Sequence, residues 1–331
     1  MNGRQAILVF FAVLIGTINL RAQDVAFSQF YSNPIYLNPA FAGSIGVPRL
    51  VTQYRNQWPG FDKAFNTYAM GFDLPVKALE GGLGFLLLND AQGNSALKSL
   101  QFDVMYTKFT RLNKNFSMNG SIQAGLHRNS LDWSKLIFPD NLILDYGNPG
   151  VTQEVPVSDR NYNYFDVSAG ILVYNNFMFL GLAGHHLNKP KQSFYQGQEQ
   201  AGVLYRKYTL HFGSALGIYT HGQQRKTFDL LPQIVYQQQG GFRQFNYGIS
   251  VDRRGLSTGV WFRQDMGLKY NALIFIIGFV KNSWQLTYSY DWVVSGLSGL
   301  TGGSSEITLS FLLKKPVQPS SYPFYRFPEE Y

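Results

Sequence analysis

The 331-residue chain is 16% aromatic and only 15% charged, with 33 glycines, no cysteine and a mean hydropathy of −0.13. That is too apolar for an ordinary solvated surface and too polar for a bundle of membrane helices, and the missing cysteines remove disulfides, thiolate nucleophiles and cysteine metal sites. A formal charge of +8 comes without a long basic run or an RNP-type or zinc-finger pattern, so nucleic acid is not an expected partner.

The first 22 residues read as an export signal: Arg4, the apolar run AILVFFAVLI over 6–15, then INLRA ending at Ala22. Leu20 fits the small-residue rule before the cleavage point imperfectly, and cutting before Gln23 removes Arg4 and Arg21, lowering the charge to +6. Residues 23–47 form an N-terminal signature segment. Its first part, QDVAFSQFYSNPIYLNPAFAG over 23–43, does not alternate; its two Asn-Pro steps, Asn33-Pro34 and Asn38-Pro39, and its Gly43 suggest a short turn or helix followed by tight bends. This segment is expected either to plug the mouth of a barrel, with Phe27, Phe30, Tyr31, Tyr36 and Phe41 as anchors, or to lie as a strap across its rim.

From residue 48 onward large and small side chains alternate, as in NSWQLTYSYDW over 282–292, and a period of two means strands. Turn residues divide the chain into 14 expected strands: 48–57, 64–74, 81–90, 96–109, 115–128, 163–174, 177–187, 203–219, 227–238, 243–253, 255–265, 269–280, 283–293 and 305–314. Most are longer than the globular mode of five or six residues and suit a tilted strand crossing a bilayer. After the signal the longest nearly apolar run, ALIFIIGFV over 272–280, falls far short of the roughly 20 residues of a spanning helix. The expected class is therefore all-β, an antiparallel transmembrane barrel of outer-membrane type over 48–314, with a tail at 315–331. Even-numbered connections are short and odd-numbered ones include the two longest, which places the short turns, and both termini, on the periplasmic side.

Asp291 and Glu306 are expected to face inward on neighbouring strands, and Arg49, Arg55 and Arg263 to share that lumen, where buried ions must pair or stay wet. His185 and His186 are adjacent on an expected strand and should point to opposite faces, so they do not chelate one ion together. His127 and His211 belong to the water-facing set. Basic residues in the short turns, among them Lys77, Arg111 and Lys281, suit an acidic periplasmic partner or plain solvation. No nucleophile elbow or metal-binding pair is visible, and neither a cofactor nor a metal is expected. The long 129–162 loop sets Trp133, Phe138 and Tyr146 among acidic residues, a composition suited to a contact patch for cargo.

The signature at 23–43, followed in order by YRNQW at 54–58, YSYDW at 288–292 and GGSSEITLSF at 302–311, resembles the PorP/SprF family of Bacteroidetes outer-membrane proteins. The resemblance spans the chain after the signal and departs from the family at the tail. It implies a non-enzymatic barrel seated in outer-membrane lipid, working with components of the type IX translocon. Such a barrel supports export or surface attachment of a cargo protein bearing a C-terminal sorting domain, in some members in gliding motility. A passive porin for small solutes and, further off, an outer-membrane enzyme stay open as alternatives.

Overall fold

Alternation gives each strand one apolar and one polar face, and in this chain neither face meets a second sheet. The computed structural model describes residues 24–61, 64–138, 144–145, 148–149, 152, 154, 160–194, 202–219, 226–267, 270–294, 299 and 301–314. Among them, fourteen antiparallel strands form one sheet that closes on itself. They are β1 (Arg49–Gln57), β2 (Phe65–Val76), β3 (Gly81–Gln92), β4 (Leu97–Arg111), β5 (Ser117–Leu131), β6 (Asn161–Tyr174) and β7 (Met178–His185), then β8 in two pieces (Lys207–Ser214 and Leu216–Tyr219). The circuit continues through β9 (Lys226–Gln239), β10 (Phe242–Arg253), β11 (Leu256–Asp265), β12 (Tyr270–Lys281), β13 (Trp284–Val293) and β14 (Ser304–Leu312). Each strand pairs with its neighbours in sequence, and β14 returns to pair with β1, setting Arg55 opposite Glu306. Closure leaves no unpaired sheet edge, which is what hydrocarbon surroundings require of a strand protein.

Alternation decides which face goes where. Inward positions carry Gln53, Thr67, Gln123, Thr209, Gln233, Asn246, Ser289 and Thr308, all buried. Outward positions carry Met70, Phe102, Ile122, Leu126, Leu210, Ile249, Tyr288 and Ile307, all exposed; Ile122 and Leu126 each keep 66% of their surface uncovered. A water-soluble protein rarely leaves so continuous an apolar belt in contact with solvent, whereas lipid covers it at no cost. Among the described residues no helix is long and apolar enough to cross a membrane, so the strands make the crossing.

All but two of the expected strand limits fall within two residues of those observed. The exceptions are the end of β5 and the start of β8. β8 begins at Lys207, not 203, and is interrupted at Ala215; the break falls opposite Pro232 of β9, which has no N–H to give to a ladder. Tight turns close one end of the barrel, for example between β10 and β11, where Arg254 (φ 49°) and Gly255 (φ 83°) adopt the left-handed pair that a two-residue hairpin favours. The longer connections lie at the other end.

Candidate functional site

Residues 24–47 run through the barrel interior. Asp24 lies toward the long-loop rim, where its carboxylate meets His186 just beyond β7 at 2.9 Å and Lys207 of β8 at 3.4 Å, and takes a hydrogen bond from Gln239 of β9. The chain next crosses to β1, β13 and β14 at Ser28 and Gln29, then turns through a short helix, α1 (Pro34–Leu37), and a 3-10 turn, Pro39–Phe41. It descends until Gly43 donates its N–H to Asp73, near the short-turn end of β2, at 2.8 Å. The two Asn-Pro steps set this path. Each proline opens a helical turn, where its missing N–H costs nothing, and the Asn38 side chain accepts from Ala40 N at 2.9 Å to cap the second turn. The Asn38 amide also reaches the wall, donating to the carbonyl of Ile171 at 3.1 Å and lying 3.0 Å from His211 Nε2.

The five aromatic residues singled out in the sequence all pack inside. Phe27 lies edge-on to Tyr36, ring centroids 5.0 Å apart, over Ala69 and Leu88. Phe30 meets Trp261 at 5.4 Å beside Val235 and Ile274. Tyr31 and Phe41 both contact Phe179, and Phe41 joins Ile35, Leu86, Met105 and Leu172 in the largest apolar cluster. Burying each such side chain contributes about 2 kcal/mol. Asn33, Pro34, Asn38 and Pro39 are buried as well. Gly43 has φ 71°, and a Cβ there would run into the backbone of Gly82 and Leu74; a Cβ on Gly170 of β6 would overlap the Asn38 side chain. A cavity of about 10 Å³ lies beside Phe27, Phe30 and Tyr36, room for roughly one water molecule.

The five inward charges named from sequence fall into two groups. Arg55 reaches Asp291 at 2.9 Å and Glu306 at 3.0 Å, and Arg263 reaches Asp291 at 3.0 Å. Two guanidinium groups and two carboxylates make a buried cluster of zero net charge, the condition under which such ions tolerate loss of water. The N-terminal segment completes it: the Ser28 hydroxyl donates to Asp291 at 2.6 Å and accepts from Arg55 and Arg263, each at 2.8 Å. The amides of Ser28 and Gln29 both donate to Glu306, at 2.8 and 3.0 Å, as does the Gln53 side chain at 2.7 Å. Arg49 stands apart, paired with Asp73 at 2.7 Å, the same carboxylate that receives Gly43.

A third polar contact holds the start of the segment. His186 lies between two carboxylates, Asp166 at 2.8 Å and Asp24 at 2.9 Å. Burial by itself would lower its pKa, but Asp24 and Asp166 outweigh it and raise it to about 10. Burial would likewise raise Asp24, and His186 with Lys207 holds it well below the usual carboxylate range. The expectation that His185 and His186 face opposite ways is corrected here. The strand ends at His185, His186 takes φ 56°, and this left-handed step turns both rings inward. Among the described residues no cluster of three or more potential ligands could hold a metal ion.

The sequence puts the N-terminus on the short-turn side. The described chain instead begins at Asp24 toward the long-loop rim, because its partners His186, Lys207 and Gln239 sit at that end of their strands. The long-loop residues Trp133 and Phe138 pack ring to ring at 4.9 Å, both half-buried. Tyr146, the signal at 1–22 and the tail at 315–331 lie outside the described residues.

Sequence reasoning missed Asp24, Ser28, Gln29, Asp73, Asp166 and the wall residues Phe179, Trp261 and Ile274. For the wall residues a signal was present. They occupy inward positions where alternation calls for small or polar side chains, and their bulk marks the footprint of the segment.

Comparison with known proteins gives one family match. The family described as type IX secretion system membrane protein PorP/SprF matches residues 19–311. No curated relative matches the chain. Among solved structures, the outer membrane protein Omp33 of Acinetobacter baumannii overlaps 81% of this chain and 99% of its own at 7% identity, TM-score 0.45. A FadL homologue of Pseudomonas aeruginosa overlaps 87% of this chain and 96% of its own at 11% identity, TM-score 0.45.

Proposed function

Because the chain belongs to the PorP/SprF family of type IX secretion system membrane proteins, we propose that it is a plugged outer-membrane barrel that holds a cargo protein for export or surface attachment. The cargo carries a C-terminal sorting domain, and the barrel catalyses no step of its own. The single observation that supports this over a passive porin is the occupied interior. Ser28 and Gln29 complete the Arg55–Asp291–Glu306–Arg263 cluster, and Phe30 and Phe41 seal against Trp261 and Phe179. A barrel filled by its own chain offers partners its rims and its outer wall. Cargo meets the long-loop rim, where the Trp133–Phe138 pair provides a rigid aromatic contact, and components of the type IX translocon engage the short-turn side.

Purifying the full chain from its native membrane in mild detergent and identifying the retained proteins tests this reading. A surface protein with a sorting domain, lost when Trp133 and Phe138 are both changed to alanine, is the expected result. Purification without any such protein, together with steady small-solute flux through the reconstituted barrel, would overturn it.

A further inference from the structure

The outer wall is not evenly covered. Five strands side by side place Leu87, Met70, Thr52, Leu309 and Leu286 in one outward row, fixed by the pairings of β3, β2, β1, β14 and β13. Thr52 is the single short side chain in that row. Next along the strands toward the long-loop rim stand Tyr54 and Tyr68, and next toward the short-turn rim Phe72 and Phe311. The result is a notch of about 420 Å³ in the apolar belt, directly over the β1–β14 junction that closes the barrel. That volume lies within the range of small-ligand pockets. Five strands span about 19 Å at the usual spacing, and the lining reaches from the Thr52 row to the neighbouring Tyr54 row along the strands, so the notch is longer than it is tall.

We propose that this notch is a binding site for one acyl chain of a membrane lipid in the leaflet at the long-loop end. Three observations favour lipid over a protein segment. The notch is continuous with the belt that faces the bilayer, so hydrocarbon is what reaches it. Its floor offers no free ladder groups, since β1 is paired on both sides from Arg49 to Gln57, which excludes strand addition; the one floor hydroxyl, Thr52 Oγ1, points to the Leu309 carbonyl at 3.5 Å and leaves its methyl to the notch. Above the notch, toward the long-loop rim, lies an uncharged polar belt: Tyr54 and Asn56 both donate to Asn66, at 2.9 and 2.8 Å, and Tyr288 meets Ser305 at 3.1 Å. An apolar slot beneath hydroxyl and amide groups matches a chain beneath its ester and headgroup.

The test uses the full-length barrel in vesicles of phosphatidylcholine carrying a diazirine on one acyl chain, with labelled residues mapped by mass spectrometry. Met70 and Leu309 should be labelled about tenfold more than Ile122 and Leu126, outward residues of β5 that are more exposed than either, the ratio expected when roughly two methylene groups gain apolar contact. Thr52→Trp fills the notch and should bring the yield down to the β5 level while heat-modifiable gel mobility reports a folded barrel. Thr52→Leu, a smaller change, gives the same reading if the tryptophan variant does not fold. Even labelling around the wall, labelling unchanged in the filled variant, or capture at Met70 of a protein in native membranes would each overturn the proposal.

Discussion

Replacing Arg55 with methionine isolates the link between the wall and the N-terminal segment. In the native cluster two guanidinium groups balance Asp291 and Glu306, and Arg55 alone touches both carboxylates and the Ser28 hydroxyl. Methionine keeps the unbranched apolar stem of the side chain and leaves one buried negative charge uncompensated, a change that costs about 3–5 kcal/mol when half of a buried pair is removed. The cost falls on the state in which Ser28 and Gln29 are seated, because their amides rest on Glu306. Amide hydrogen exchange reads this directly. If the segment opens locally, the exchange of those two amides should accelerate between about a hundredfold and a few thousandfold, at 1.36 kcal/mol per decade, while ladder amides of β4 and β5 stay as protected as before. Adding Glu306→Gln removes the surplus charge and should restore most of the protection. Unchanged exchange at Ser28 and Gln29 in Arg55→Met, or equal acceleration throughout the barrel, would refute the view that this cluster secures the segment.

The contact between Asp24 and His186 should hold across a wide but bounded range of pH. His186 is raised from 6.5 to about 10, so its contribution is complete below 6.5 and is lost as pH rises through about 10. Asp24 is lowered, so its contribution is present above its ordinary value near 4 and is lost as pH falls through the lowered one. The chain has no cysteine, so a spin label on Ala26→Cys should gain mobility at both extremes, and His186→Gln should abolish the alkaline limb and move the acid limb to higher pH, because His186 helps hold Asp24 low. Gly170→Val forces Asn38 off the wall and should lower the unfolding temperature through about 1–3 kcal/mol of overpacking; Gly120→Val, where a Cβ meets nothing within 4 Å, should leave it unchanged. Changing both Trp133 and Phe138 to alanine should leave stability within about 1 kcal/mol and reduce cargo retention on an affinity column.

Strand positions and facing were legible because a period of two repeats locally and is reinforced on every strand. Met70, Phe102, Ile122 and Ile307 could be assigned outward from their immediate neighbours alone. The break in β8 was not legible there, because its origin, Pro232, belongs to the partner strand. The inward placement of Arg55, Arg263, Asp291 and Glu306 followed from alternation, but the partner that completes their cluster lies far away in sequence. A serine and a glutamine before an Asn-Pro step carry no local mark of it; closing the barrel brings Ser28 to β11, β13 and β14. His186 was misread for a simpler reason. Alternation holds only while the backbone stays extended, and the strand stops one residue before it.

Single-channel conductance in planar bilayers, comparing the processed chain with one lacking residues 24–43, tests most directly whether the segment closes the lumen. Barrels of eight strands fill their interiors with side chains and those of 16 to 18 hold a water channel, so fourteen strands emptied of this segment should conduct. The expected result is a silent full-length barrel and steady open steps after the deletion. An open full-length barrel, or two equally silent proteins once the shortened one is shown to be folded, would contradict it.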